Sequence, residues 1–173
     1  MIYTKKMTSE QALEFYDSLE PITFEELLEV GEWHGAEIET EHIMDGVLEA
    51  VKWHGKRFEP NRGIHPLLYK GITGKIHSVD AGKIPFQHLV KLPRWLIRIA
   101  FVFVAPLIHT KKPCTQFWDV EYRGKRTGAM VWDGLPIVEV FARINENEVL
   151  GVTVSKWFDP GPPYFFTLTK PKT

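Results

Sequence analysis

The sequence predicts a mainly β protein, a small antiparallel β-barrel preceded by short helices. Three observations point there. Beyond residue 115, short segments alternate apolar with polar residues, the period-two pattern of strands that bury one face. Turn signals separate these segments: Gly124-Lys125, then Asp133-Gly134, then the run Asn145-Glu146-Asn147. Before residue 60 the apolar residues mostly recur at helical spacing, but the stretch VGEWHGAEI (30–38) alternates and opens with two glycines around a tryptophan.

The elements follow in chain order. Residues 9–19 place Ala12, Leu13, Phe15, Tyr16 and Leu19 on a helical face, with Ser9 as cap. Thr23 with Glu26 reads as a capping box that opens one or two further turns. A strand is expected over 32–40. From Asp45 the spacing of Val47, Leu48, Val51 and Trp53 suits a helix ending at Gly55. The tripeptide Trp-His-Gly occurs at 33–35 and again at 53–55; nothing around it repeats, so it reads as coincidence. A short strand is expected at 74–81. Five strands then form a meander over 117–123, 126–132, 135–144, 148–155 and 163–170. Their alternation predicts Val138, Val140, Ala142 and Ile144 on one face, Leu150, Val152 and Val154 pointing inward, and Tyr164, Phe166 and Leu168 on the apolar side. A meander this long must bury its apolar face, and curling round to pair with the strands at 32–40 and 74–81 closes it into a barrel.

Composition narrows the function classes. With 173 residues, 44% of them hydrophobic, the chain is expected to form a single domain over 1–173. Within it, 9–69, a connecting segment at 70–114 and the meander at 115–171 differ in character. Twenty-one Lys and Arg balance 22 Asp and Glu, so no net field draws a polyanion and nucleic acid is not an expected partner. The lone Cys114 excludes an internal disulfide and fits a reducing compartment. The polar stretch MIYTKKMTSEQ lacks the apolar centre of a signal peptide, and a cytoplasmic location is expected. The longest apolar run, WLIRIAFVFVAPLI (95–108), is broken by Arg98 and Pro106 and is too short to span a bilayer. Its basic flanks, Lys91, Arg94, Lys111 and Lys112, leave open a weak membrane-surface contact through 91–112, a lid or a partner surface. Burial against the barrel is the simpler expectation.

The motif GEWHG (31–35) resembles the signature of the GXWXG family, and WHGKRF (53–58) and HPLLY (65–69) resemble the segments that follow it. YRGKRTGAMVWDGLPIVEVFARINENEVLGV (122–152) and PYFFTLT (163–169) resemble the domain of unknown function that accompanies that family. More distantly, the pattern is similar to lipocalin-like and nitrobindin-like barrels, in which a glycine–tryptophan pair on the first strand closes the barrel floor. That resemblance gives Gly31, Trp33 and Gly35 the role of barrel closure, and the glycines the role of allowing bending and close approach. Segment 83–113 resembles neither and reads as an insertion.

The search for reactive groups is mostly negative. Nitrobindin-like barrels hold haem through a histidine near the carboxyl end, whereas the last histidine here is His109, so no haem is expected and His34 reads as an ordinary strand residue. The seven histidines include no helical zinc pair with an intervening glutamate, and neither metal nor cofactor is expected. No phosphate loop, dinucleotide fingerprint or nucleophile elbow occurs. Glu121 and Glu139 with Arg143 are weak catalytic candidates should they face inward; valines alternate with these charges, which instead favours a solvated face. The aromatic residues Trp53, Tyr122, Trp132, Phe141, Tyr164 and Phe166 are the expected ligand contacts. The expected function is binding or carrying of a small apolar or amphipathic molecule. The alternative is a small cofactor-free enzyme of lyase, isomerase or cyclase type on the same barrel.

Overall fold

A computed structural model describes residues 4–172. Helix α1 (Ser9–Ser18) starts one residue earlier than expected: Thr8, not Ser9, is its cap, in a reciprocal capping box with Gln11. A two-residue strand, β1 (Glu20–Pro21), leads to α2 (Phe24–Val30), which opens on the Thr23–Glu26 box and ends at Gly31 with φ +75°. Strand β2 (Glu32–Ile38) follows.

The helix expected from 45 to 55 is a single turn, α3 (Val47–Ala50), and Trp53 lies on a strand, β3 (Trp53–Phe58). Lys52, at φ +54°, reverses the chain between them, which the apolar spacing could not foretell. Strand β4 (Gly63–Lys70) and the short β5 (Ile76–Ser78) come next, followed by α4 (Phe86–Leu89) and α5 (Arg94–Val104). The meander then forms as read: β6 (Thr115–Tyr122), β7 (Lys125–Trp132), β8 (Ile137–Asn145), β9 (Glu148–Ser155) and β10 (Tyr164–Thr169).

Eight strands close into an antiparallel up-and-down barrel, β2-β3-β4-β6-β7-β8-β9-β10, with β10 pairing back onto β2. Closure uses β2, as expected, together with β3 and β4; β5, the other strand expected to close the barrel, lies off the circuit on β4. One junction is short. β6 and β7 pair from Thr115↔Trp132 to Tyr122↔Lys125, whereas β4 and β6 share only Gly63↔Gln116 and Ile64↔Thr115. The excursion through α4 and α5 leaves and re-enters beside this seam, where Val79 donates to the Leu67 carbonyl.

Two apolar cores result, one on each side of the sheet. Inside the barrel lie Trp33, Phe58, Ile64, Phe117, Met130, Phe141 and Phe166. Outside it, α1 lays Ala12, Phe15 and Tyr16 over Ile38, Val140, Ala142, Leu150, Val152 and Phe165. This corrects the inward assignment of Leu150 and Val152. The aliphatic alternation of β8 and β9 marks the face covered by α1, and the opposite parity, Ile137, Glu139 and Phe141, looks into the barrel.

The floor is built by α2 and the start of β2. The Trp33 ring is buried there, and its Nε1–H donates to the Leu27 carbonyl at 2.9 Å, which satisfies its one polar atom. The two Trp-His-Gly tripeptides meet on neighbouring strands. His34 pairs with Gly55, and a Cβ on Gly35 would strike the Trp53 ring at 2.2 Å. A Cβ on Gly55, at φ +145°, would strike the Trp33 carbonyl oxygen at 1.8 Å. Each glycine thus yields space to the other tripeptide's tryptophan, so the repeat has a structural use.

Candidate functional site

The β3 ladder slips at Gly55, with register shifts on both sides of it. A bulge changes the side-chain parity. Here it lets Trp53 and Lys56, three residues apart, both point into the barrel, with Arg57 outside on Glu32 at 2.7 Å. Lys56 is 2% exposed, and its Nζ lies 2.7 Å from Glu139 Oε2 on β8. The same ammonium donates to the Pro66 carbonyl at 3.3 Å and stands 4.8 Å from the Phe166 ring centroid and 5.4 Å from that of Trp53. Burial pushes the Lys56 amine below the usual lysine range, and the neighbouring Glu139 carboxylate works against that push. Across the pair, the Trp132 Nε1–H donates to Glu139 Oε1 at 3.2 Å.

These groups line one wall of a cavity of about 360 Å³. Trp53, Trp132, Tyr164 and Phe166 supply its aromatic surface, and Met44, Leu48, Val90 and Lys91 border it towards the helices. The Tyr164 hydroxyl is buried, is oriented toward the Glu37 carboxylate and makes no well-formed hydrogen bond. Burial first and Glu37 second hold that phenol well above the usual tyrosine range. Glu37 also faces inward and accepts the backbone N–H groups of Gly46 at 2.7 Å and Leu48 at 2.6 Å, which pins α3 across the barrel end. Arg94 ties the start of α5 to the same rim through the carbonyls of Asp45 at 2.8 Å and Ile43 at 2.6 Å. His42 packs edge-on against Phe158, and burial lowers its imidazole pKa.

The expected contacts divide. Trp53, Trp132, Tyr164 and Phe166 line the cavity. Phe141 faces inward but is wholly buried beneath it, against Phe58 and Phe166. Tyr122 lies outside the barrel, its ring 5.4 Å from that of Tyr16 on α1. The catalytic trio does not assemble: Glu121 is exposed, and Arg143 is outside, paired with Glu26. Glu139, read as solvated, is 5% exposed and faces the interior. Its true partner, Lys56, went unnoticed because period-two reading fails across the bulge. The available signal was Gly55 between Trp53 and Phe58, a glycine inside an aromatic-flanked strand. Among the described residues no group of three or more His, Cys, Asp or Glu side chains could hold a metal.

The site offers two chemistries. Flat apolar molecules can stack on its indoles and phenyl ring, and the ion pair with the Tyr164 hydroxyl can hydrogen-bond one polar group.

Residues 14–74 match the model described as GXWXG protein, and residues 113–170 match that of the domain of unknown function DUF4334. The intervening segment is the α4–α5 excursion. A crystal structure of a protein from Thermomonospora curvata is similar over 97% of this chain and 91% of its own, with 24% identity and a TM-score of 0.70, a likeness of fold. No curated protein matches.

Proposed function

This chain carries the GXWXG and DUF4334 domains, and on its geometry we propose that it binds a small, mainly apolar molecule bearing one hydroxyl or carbonyl group inside the barrel. The observation that carries the reading is the Lys56–Glu139 ion pair in the wall of an aromatic cavity. Burying two charges costs several kcal/mol per ion and stabilises a fold little, so their retention beside an open volume argues for use on a ligand. The pair is neutral as a unit, which favours an uncharged polar group over a carboxylate. A molecule that buries about 300 Å² of apolar surface gains roughly 7 kcal/mol gross, and association costs leave an affinity weaker than micromolar unless the polar contacts add to it.

Titration with a fluorescent long-chain alcohol and its carboxylate analogue tests this. The alcohol should bind more tightly, and Lys56→Met with Glu139→Gln, which removes the pair without stranding a charge, should weaken it about tenfold. Absence of uptake of either probe by the wild-type protein would refute the reading.

A second reading rests on the same lysine. Burial favours its neutral amine, which can attack an aldehyde or ketone once Glu139 takes the ammonium proton; an N–H proton passes to the oxygen to give a carbinolamine, and Glu139 returns its proton to the departing hydroxyl, leaving a protonated imine and water. Cyanoborohydride reduction with a long-chain aldehyde would fix such an adduct on Lys56, detectable by peptide mass, and no adduct there would refute it.

A further inference from the structure

Helix α5 is apolar on both sides. Ile97 and Phe101 turn towards the barrel, while Trp95, Ile99, Val102 and Phe103 form an outward stripe at helical spacing. Trp95 is 65% exposed and Phe103 72%, and Ile72 and Leu107 beside them are more exposed still. The segment that carries the patch is basic. Between Asp80 and Asp119 the sequence holds Lys83, Lys91, Arg94, Arg98, Lys111 and Lys112 and no acidic residue. Arg94 is engaged by rim carbonyls and Lys83 by Asp80 at 3.5 Å. Lys91, Arg98, Lys111 and Lys112 are exposed, with no ion pair among the described residues.

We propose that this face docks on an anionic lipid surface, with Trp95, Ile99, Val102 and Phe103 in the headgroup boundary and the four exposed cations on lipid phosphates. An apolar stripe carrying tryptophan and phenylalanine beside cations is the composition of helices that lie in a membrane interface. A second copy of the chain fits poorly, because a two-fold contact through α5 would set Arg98 of each copy near like charge with no acidic residue on the helix to offset it. No helix among the described residues is long and apolar enough to cross a membrane, so the contact is peripheral.

The position of the patch adds a reason for docking there. Lys91, one turn before Trp95, borders the barrel cavity. Under α5 lies a second apolar void of about 170 Å³, walled by Val47, Ile97, Phe101 and Val104 and sharing Leu48 and Leu67 with the barrel cavity. The helix that faces the lipid thus roofs this second void, and its first residue, Arg94, is tied to the cavity rim through the Ile43 and Asp45 carbonyls.

Sedimentation of the whole protein with phosphatidylcholine vesicles, and with mixed phosphatidylcholine–phosphatidylglycerol vesicles, reads docking whether or not the barrel holds anything. Capture on the mixed vesicles alone, falling with added salt, is the expected result. Lys91→Gln and Arg98→Gln should each weaken it about fivefold. Trp95→Gln with Phe103→Gln, both exposed and therefore compatible with folding, should weaken it about tenfold or more. No capture, equal capture on both vesicle types, or a solution dimer broken by Phe103→Gln in a protein that ignores vesicles would each overturn the proposal.

Discussion

The two cores of this barrel differ in what they leave unfinished. The outer core, where α1 lies on β8, β9 and β10, packs small and aliphatic side chains around Phe15 and Tyr16. Its polar irregularity is the Tyr16 hydroxyl, which is buried without a hydrogen bond. The inner core is aromatic, encloses a cavity and contains a desolvated ion pair. The cleaner alternation belongs to the core that only holds the fold together. The strand face that mixes glutamate with phenylalanine belongs to the one that lines the cavity.

Substitutions can break or sharpen this contrast. The largest effects are expected from the two structural anchors. Trp33→Ala removes the floor and Phe15→Ala guts the outer core, each at about 3–5 kcal/mol in denaturant unfolding. The outer variant should keep probe affinity within about twofold when studied below its unfolding midpoint. An equal loss of binding in Phe15→Ala would dissolve the distinction. Next comes Lys56→Met alone, which strands Glu139 and should cost about 3 kcal/mol, with most of it recovered by adding Glu139→Gln. Failure of the double variant to recover would mean that the pair carries the fold and not only a ligand.

Smaller again is Trp132→Phe, which retains an aromatic ring but deletes the N–H to Glu139. About 1–2 kcal/mol of stability should go, with a proportionately greater loss of probe uptake. The smallest effect at neutral pH is expected from Tyr16→Phe, within about 1 kcal/mol of wild type because the lost hydroxyl had no partner. This variant should show itself at alkaline pH. Burial pushes the Tyr16 phenol up to about 12, against about 10 in the unfolded chain. Between those values the unfolded state holds fewer protons, so this tyrosine's contribution to stability falls as pH rises. Unfolding curves of Tyr16→Phe should lack that component, and identical alkaline profiles would refute it.

Much of the fold was legible because the meander repeats one signal five times with a turn between successive strands. What period-two reading cannot supply is the side of the sheet. An antiparallel sheet normally has one wet face, and here α1 makes both faces dry, so the valines of β8 and β9 point away from the barrel interior. The Trp53–Phe58 strand was hidden by its bulge and by α3 just before it, whose apolar spacing runs on into the strand. Tyr122 was misplaced for the same reason as Leu150: its parity is that of the α1 face. Trp132, Tyr164 and Phe166 were legible because their parity is the one that faces the cavity, opposite to that of Ala129 and Phe165 under α1.

The short β4–β6 junction has a consequence for how the chain is assembled. With a register of Gly63↔Gln116 and Ile64↔Thr115, flanked by the Cys114 and Phe117 N–H groups donating to the Ile64 and Arg62 carbonyls, the cylinder behaves less like a continuous tube than like a sheet rolled until its margins touch. The margins fall where the two family segments end and begin, at 74 and 113. Each segment contributes an unbroken run of neighbouring strands, and β2 with β10 supplies a second, five-residue junction from Phe165↔Ile38 to Thr169↔His34. The weaker margin is therefore the line along which amide protons should exchange first, and a chain nicked within the α4–α5 excursion keeps all eight staves, each still beside the neighbours that complete it.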